Sequence, residues 1–316
     1  MTAVPQDTRL SDLRPLRQCG RRWTRAVGVS RPIAPLGPRP AVTASAHCRD
    51  SEGVVSVGRS KKPKLAHLFL VRENLHQEIM WEDFFGEADG AASIYVHPKW
   101  PEKVTTRLFR NRIVAELCPT RYGHVSVVQA ELCLLRAAMS DEANQFFLLH
   151  SESCIPIRAF SQVYQQVFSL GRSWLNYHQG SMCRYSQIDG RLVPEKHFYK
   201  ASQFFCLSRR HVERILADCD LAAWKDVQAP EEHFFTTVLA MSGALADCAR
   251  RDLTFVDWRP SNASRHESGW GPVNFHVLSP DDVANLQATD CLFARKFAAD
   301  SDVSRHIRIG SASQRT

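Results

Sequence analysis

No stretch of this chain approaches the roughly 20 consecutive apolar residues that a membrane-spanning helix needs. With 44% hydrophobic and 23% charged residues, neither a bundle of membrane helices nor a fully disordered chain fits. None of the ten cysteines lies in a CxxC or other zinc-ligand spacing, so no metal site is expected from them. Cys154 in SCIPI and Cys206 in FFCL sit in apolar runs, where a buried thiol is the default, and a disulfide would need an oxidising compartment. There is no internal repeat, which sets aside solenoids and propellers. Lysine is absent from residues 1–60, where ten arginines face only Asp7, Asp12, Asp50 and Glu52, a balance of +6 out of the chain's +7. The remaining 256 residues carry 30 basic and 29 acidic groups, a balance of +1. A body so nearly neutral lacks the clustered charge of a nucleic-acid-binding face, and no nucleic-acid partner is expected.

The basic leader is rich in Pro, Ser, Thr and Ala and shows neither helical nor strand periodicity. It cannot bury enough apolar area to offset its ordering entropy, so residues 1–60 are expected to be a disordered basic tail. Its Arg- and Ser-rich, acid-poor composition suits an organelle transit peptide and equally a flexible leader. One large domain is expected over 64–300, with 301–316 as a flexible C-terminal tail.

Within the body, short apolar runs alternate with helical stripes. LAHLFLV (65–71) and AASIYVH (91–97) read as buried strands, and NLHQEIMWEDFF (74–85) between them puts Leu75, Ile79, Met80 and Phe84 on one helical face. Strand, helix and strand in so short a span form a βαβ unit, which implies a parallel sheet. A short strand over 112–116 and a helix over 125–140, with Val128, Leu132, Leu135 and Met139 inward, continue the alternation. QFFLLHS (145–151) is a further strand and 160–170 a further helix. Residues 198–208 read as a strand or a loop entering one, 209–224 and 230–241 as helices and 253–258 as a strand, and CLFARKFA (291–298) closes the ordered region. The pattern is that of a Rossmann-type α/β domain with a mostly parallel central sheet.

Six blocks occur in order along this body. They are Ser93-Ile94-Tyr95-Val96-His97, the run Phe146 to Pro156 (FFLLHSESCIP), Lys200-Ala201-Ser202-Gln203-Phe204-Phe205, Pro230-Glu231-Glu232-His233, Val256-Asp257-Trp258, and Phe293-Ala294-Arg295-Lys296-Phe297. Together they resemble the core-2/I-branching β-1,6-N-acetylglucosaminyltransferase family, particularly its plant and algal branch-enzyme-like members. The resemblance spans roughly 64–300. It implies a GT-A-like glycosyltransferase domain that moves a sugar, N-acetylglucosamine first among the candidates, from a UDP-sugar to a hydroxyl of a glycan or glycoprotein with inversion and without a metal. It also implies a lumenal domain associated with the Golgi membrane. Against the plant-type motif W-R-K-G-S-Q-W-F the chain reads FYKASQFF, with Tyr199 where the arginine stands, and 271–290 holds no arginine. These departures keep glucuronosyl and xylosyl transfer open, as well as a non-catalytic glycan-binding relative.

An inverting transfer needs one carboxylate to take the proton of the acceptor hydroxyl, and positive charge to stabilise the departing diphosphate. The resemblance gives the first role to Glu232. Glu231 beside it is the acid suited to capping, because a first helical turn favours negative charge; with His233 it is grouped on the acceptor side. Of two Asp-x-Asp strings, Asp218-Cys219-Asp220 falls near a helix end, where positions i and i+2 point about 200° apart. Asp300-Ser301-Asp302 lies in the expected tail, so neither is expected to hold a metal. Cations then serve the diphosphate. Lys296 takes that position by the resemblance, with Arg295 adjacent, and Arg72 and His97 follow the first two strands, where open α/β sheets bind nucleotides. Glu73, Glu152 and Ser153 fall on the same rim. The resemblance also implies that Trp258 lies against the acceptor sugar, joined by Lys200, Ser202 and Gln203. The sequon Asn262-Ala263-Ser264 would be used only in the secretory pathway.

Overall fold

The computed structural model describes residues 62–258 and 271–309; the expected tail 1–60, the sequon and 310–316 lie outside the described residues. Strand β1 (Lys64–Val71) runs into a turn and helix α1 (Glu78–Gly86), and β2 (Ala92–Pro98) returns beside β1 in parallel register, Leu65 opposite Ala92 and Val71 opposite Pro98. After the short helix α2 (Arg107–Arg110), helix α3 (Ser126–Met139) leads to β3 (Asn144–His150), which pairs in parallel with the other edge of β1. The short strand β4 (Ile155–Pro156) and helix α4 (Phe160–Leu170) follow. Next come β5 (His178–Gln179), α5 (Met182–Tyr185), β6 (Tyr199–Lys200) and β7 (Cys206–Ser208). The last described elements are α6 (Arg209–Ala217), α7 (Phe234–Met241), β8 (Thr254–Val256), α8 (Pro280–Ala288) and β9 (Phe293–Arg295).

The central sheet has the order β2-β1-β3-β7, parallel except for β7. The expected α/β class with a parallel-rich sheet is what forms. Its strands are continuous apolar runs because both faces are covered. Ala66, Leu68, Phe147 and Leu149 pack on the side of α3, α6 and α7, and Leu65, Phe69, Phe146 and Leu148 on the side of α1 and α4. A second sheet, β4-β9-β8, sets the segment after β9 beside the end of β3.

Local expectations fail where packing overrides pattern. Ile79 is 57% exposed, and Trp81 takes the inner face instead, donating its indole N–H to the Cys154 carbonyl at 2.9 Å. The 112–116 strand reduces to one bridge between Ile113 and Val96. The 198–208 strand is broken into β6, which pairs with β5, and β7, which pairs with β3. The helix expected over 230–241 starts only at Phe234, after a 3₁₀ turn Pro230–Glu232. Helix α8 escapes the periodicity reading, although SPDD spells its start: Pro280 leads, and Ser279 and Asp282 cap each other's backbone N–H groups. Residues 301–309, expected as tail, are packed: Val303 is buried and the Asp302 carboxylate accepts the Leu278 N–H at 3.1 Å. Among the described residues all eight cysteines are free.

Since Phe84 is wholly buried and Ile79 is not, Phe84→Ala should lose about 3–5 kcal/mol and Ile79→Ala no more than about 0.5 kcal/mol. Urea unfolding of both variants measures this; equal losses would contradict the placement of α1.

Candidate active site

Parallel pairing of β1 with β2 and β3 brings the carboxyl ends of these strands to one edge, where open α/β sheets form their crevice. A cleft of about 630 Å³ lies there. It is lined by Val71 at the end of β1 and Arg72 after it, by Ser151–Ser153 after β3, by Gln203, Phe204 and Glu231, and by Arg295, Lys296 and Asp300.

The cleft collects positive charge. The Arg72 Nε donates to Glu152 Oε1 at 2.9 Å, which orients a guanidinium that is otherwise largely exposed. The Arg295 guanidinium lies over the Phe204 ring, 4.5 Å from its centroid, and its Nε is buried with no hydrogen-bond partner among the described residues. Arg295 lines the cleft, so an anion bound there would meet its charge. Lys296 lines the cleft beside it, held by backbone bonds from Phe275 N–H to its carbonyl (2.8 Å) and from its own N–H to Val273 (3.4 Å). Lys99 and Arg121 add to this face. Neither stands out in the sequence, though Lys99 follows β2 by the same strand-end rule that suggests His97.

Two acids stand at the back. Glu231 lines the cleft yet is only 9% exposed, and burial, with the neighbouring Glu232 charge adding to it, pushes its carboxyl up to about 7. Its expected capping role is not taken up: α7 begins beyond it, and neither the 3₁₀ turn nor α7 has a side-chain cap. Glu131 on α3 is fully buried and accepts from the Gln203 amide at 2.7 Å. Burial raises its carboxyl well above the usual range. Sequence reasoning misses Glu131 because its spacing reads as one more solvated position on a helix.

Glu232 points elsewhere. Its carboxylate meets Lys200 Nζ at 2.9 Å, and its carbonyl accepts the Ala201 N–H at 2.9 Å, which locks the 3₁₀ turn to the 200–204 segment. Beyond that segment a second depression of about 440 Å³ is lined by Ser202, Asn176, Arg250, Asp252 and Trp258. Trp258 is 67% exposed, so its indole is available to a ligand instead of filling core. The expected acceptor-side residues are thus divided, Ser202 and Trp258 on one side of the wall and Gln203 and Glu231 on the other.

Glu232 and Lys200 line neither cavity, and two further predicted residues are packed away from both. His97 is wholly buried, its Nε2 accepts the Cys118 N–H at 3.1 Å, and burial lowers its pKa; it lines neither cavity. His233 donates from Nδ1 to the Tyr199 carbonyl at 3.0 Å and stacks on Phe198 at 4.5 Å, with burial lowering it to about 4. It is a neutral packing histidine. Asp300 is largely exposed, as a solvated acid would be, yet it lines the cleft and pairs with His276 at 2.7 Å. Asp218 caps the end of α6, away from both cavities. Among the described residues no cluster of His, Cys, Asp and Glu suited to a metal ion occurs.

The model of the family described as Core-2/I-Branching enzyme matches residues 65–287. A curated relative, Glycosyltransferase BC10 of Oryza sativa subsp. japonica, is 28% identical over 268 residues, covering 73% of this chain and 67% of its own. Among solved structures, the crystal structure of A197 from STIV is similar at 12% identity and a TM-score of 0.30, covering 55% of this chain and 78% of that one. A likeness that slight bears on neither fold nor function.

The raised Glu231 carboxyl has a consequence for stability. Between its ordinary value of 4.5 and about 7, the folded chain keeps a proton that the unfolded chain releases, so stability falls as pH rises through that window. Glu231→Gln escapes this penalty. Relative to the parent it should gain on the order of 3 kcal/mol between pH 4.5 and pH 8. Thermal melts at both pH values check this, and a gap that does not change with pH would refute it.

Proposed function

Because the chain belongs to the Core-2/I-branching enzyme family and is therefore a glycosyltransferase, we propose that it transfers N-acetylglucosamine from its UDP donor to a glycan hydroxyl, with inversion and without a metal ion. The observation that carries this reading is the set of cations Arg72, Arg295 and Lys296 lining one cleft at the carboxyl ends of the parallel strands. A diphosphate is an anion suited to such a cleft, and fixed cations stabilise the charge that develops as UDP leaves. Lys296 acts as a point charge and Arg295 as a fork.

Glu232 is the base in this reading. Lys200 holds its carboxylate at 2.9 Å, and in this reading an acceptor sugar stacked on the exposed Trp258 indole offers its hydroxyl to that carboxylate. The attack then comes from the face opposite the diphosphate, and a single displacement inverts the anomeric centre. Indole faces suit the CH groups of sugars while leaving the hydroxyls free. The same reading places the domain in the lumen of the Golgi, where UDP-sugars meet glycan acceptors; a full-length fluorescent fusion should coincide with a Golgi marker, and a plastid or mitochondrial pattern would refute this.

UDP release from UDP-GlcNAc in the presence of EDTA and a glycan acceptor tests the chemistry. Glu232→Gln should lower turnover by about 10²–10⁴-fold, whereas near-normal transfer would remove Glu232 from the mechanism. Preference for UDP-glucuronic acid or UDP-xylose in the same assay would reassign the donor, and complete loss with EDTA would sink the metal-free step.

A further inference from the structure

We propose that Glu131 is a positioning residue of the transfer reaction. Buried on α3 behind the cleft, it holds Gln203 so that the amide presents its carbonyl oxygen to the bound nucleotide sugar, as acceptor for a sugar hydroxyl or an acetamido N–H. This rests on the donor reading above and adds a recognition element to it.

An acid in the middle of α3, between buried Ala130 and Leu132, gains nothing from apolar packing; leucine would fill the place at lower cost. Among the described residues its side chain takes one hydrogen bond, from Gln203 Nε2 to its Oε1 at 2.7 Å, while its Oε2 is buried and bare. Gln203 in turn lines the cleft, next to the Phe204 ring that carries Arg295. The amide is planar and its two ends point apart, so engaging the nitrogen toward α3 turns the oxygen toward the cleft.

The surroundings suit an acid that keeps its proton. The groups facing it are Gln203 from the 202–204 wall and Glu231 from the 3₁₀ turn; Glu231 in turn faces Glu232 and Arg184 of α5. Glu231 also has a bare buried Oε2. Burial first, and then the Glu231 charge, favour the protonated form of Glu131. A proton on Oε2 leaves Oε1 free to accept from Gln203, so the orientation of the amide survives.

Steady-state transfer kinetics on Glu131→Gln, Glu131→Leu, Gln203→Leu and the double leucine variant test this. Glu131→Gln still offers a carbonyl to Gln203 and should keep kcat/KM for the donor within about threefold, while either leucine variant should lose about tenfold, the worth of one hydrogen bond. The double variant should be no worse than Gln203→Leu alone, because Glu131 acts only through Gln203. Losses that multiply, an unaffected Glu131→Leu, or an equal loss in Glu131→Gln would overturn the proposal. Should Glu131→Leu not fold, the exchange Glu131→Gln with Gln203→Glu decides: recovery over Gln203→Glu alone supports it and no recovery overturns it. Calorimetric titration of the parent chain with UDP separates the two levels. Absence of UDP binding defeats the donor reading and this inference with it. Where the parent binds UDP and transfers sugar, the variants alone decide whether Glu131 positions Gln203.

Discussion

β1 is hydrogen-bonded on both edges and buried on both faces, and the site depends on that constraint. Pairing in parallel with β2 on one side and β3 on the other forces three chain segments to leave the sheet at the same edge. Arg72, Lys99 and Glu152 arrive together for that reason alone. The helices that cover the two faces then decide what closes over the crevice: α3 brings Glu131 to its back, and the second sheet brings Arg295 and Lys296 to its flank.

Across this crevice the segment 200–204 works as a partition. Lys200 and the Ala201 N–H tie it to Glu232, Gln203 to Glu131, and Phe204 to Arg295. Each tie fixes one side chain by contact with another element, so Glu232, Glu131 and Arg295 are all positioned against one short stretch of irregular backbone. Such a stretch needs its polar groups answered from outside, and here the answers come from residues of the site itself.

The histidines show how burial sorts similar residues into different roles. His97 and His233 sit in motifs of the site but are packed, with nitrogens bound to backbone groups. His67 and His150 form a buried pair inside an aromatic cluster, their rings joined Nδ1 to Nε2 at 3.1 Å. Desolvation lowers all four, leaving them neutral. His276, at the cleft rim with Asp300, is the one among these that faces solvent.

Alternating apolar runs and helical stripes were enough to determine the α/β class, the parallel start of the sheet and the strand ends that carry Arg72 and Glu152, because periodicity reports burial directly. Ordered motifs likewise placed Glu232, Lys296 and Trp258 in one domain. Which of two adjacent glutamates faces the cleft was not legible, since a 3₁₀ turn and a helix turn place neighbouring side chains differently and tertiary contacts choose between them. Nor were Glu131, Lys99 and Asp300 legible as site residues: each is an ordinary polar position in its own segment. Only the packing of α3 behind Gln203, of β2 beside β1 and of the final segment against the second sheet brings them to the cleft.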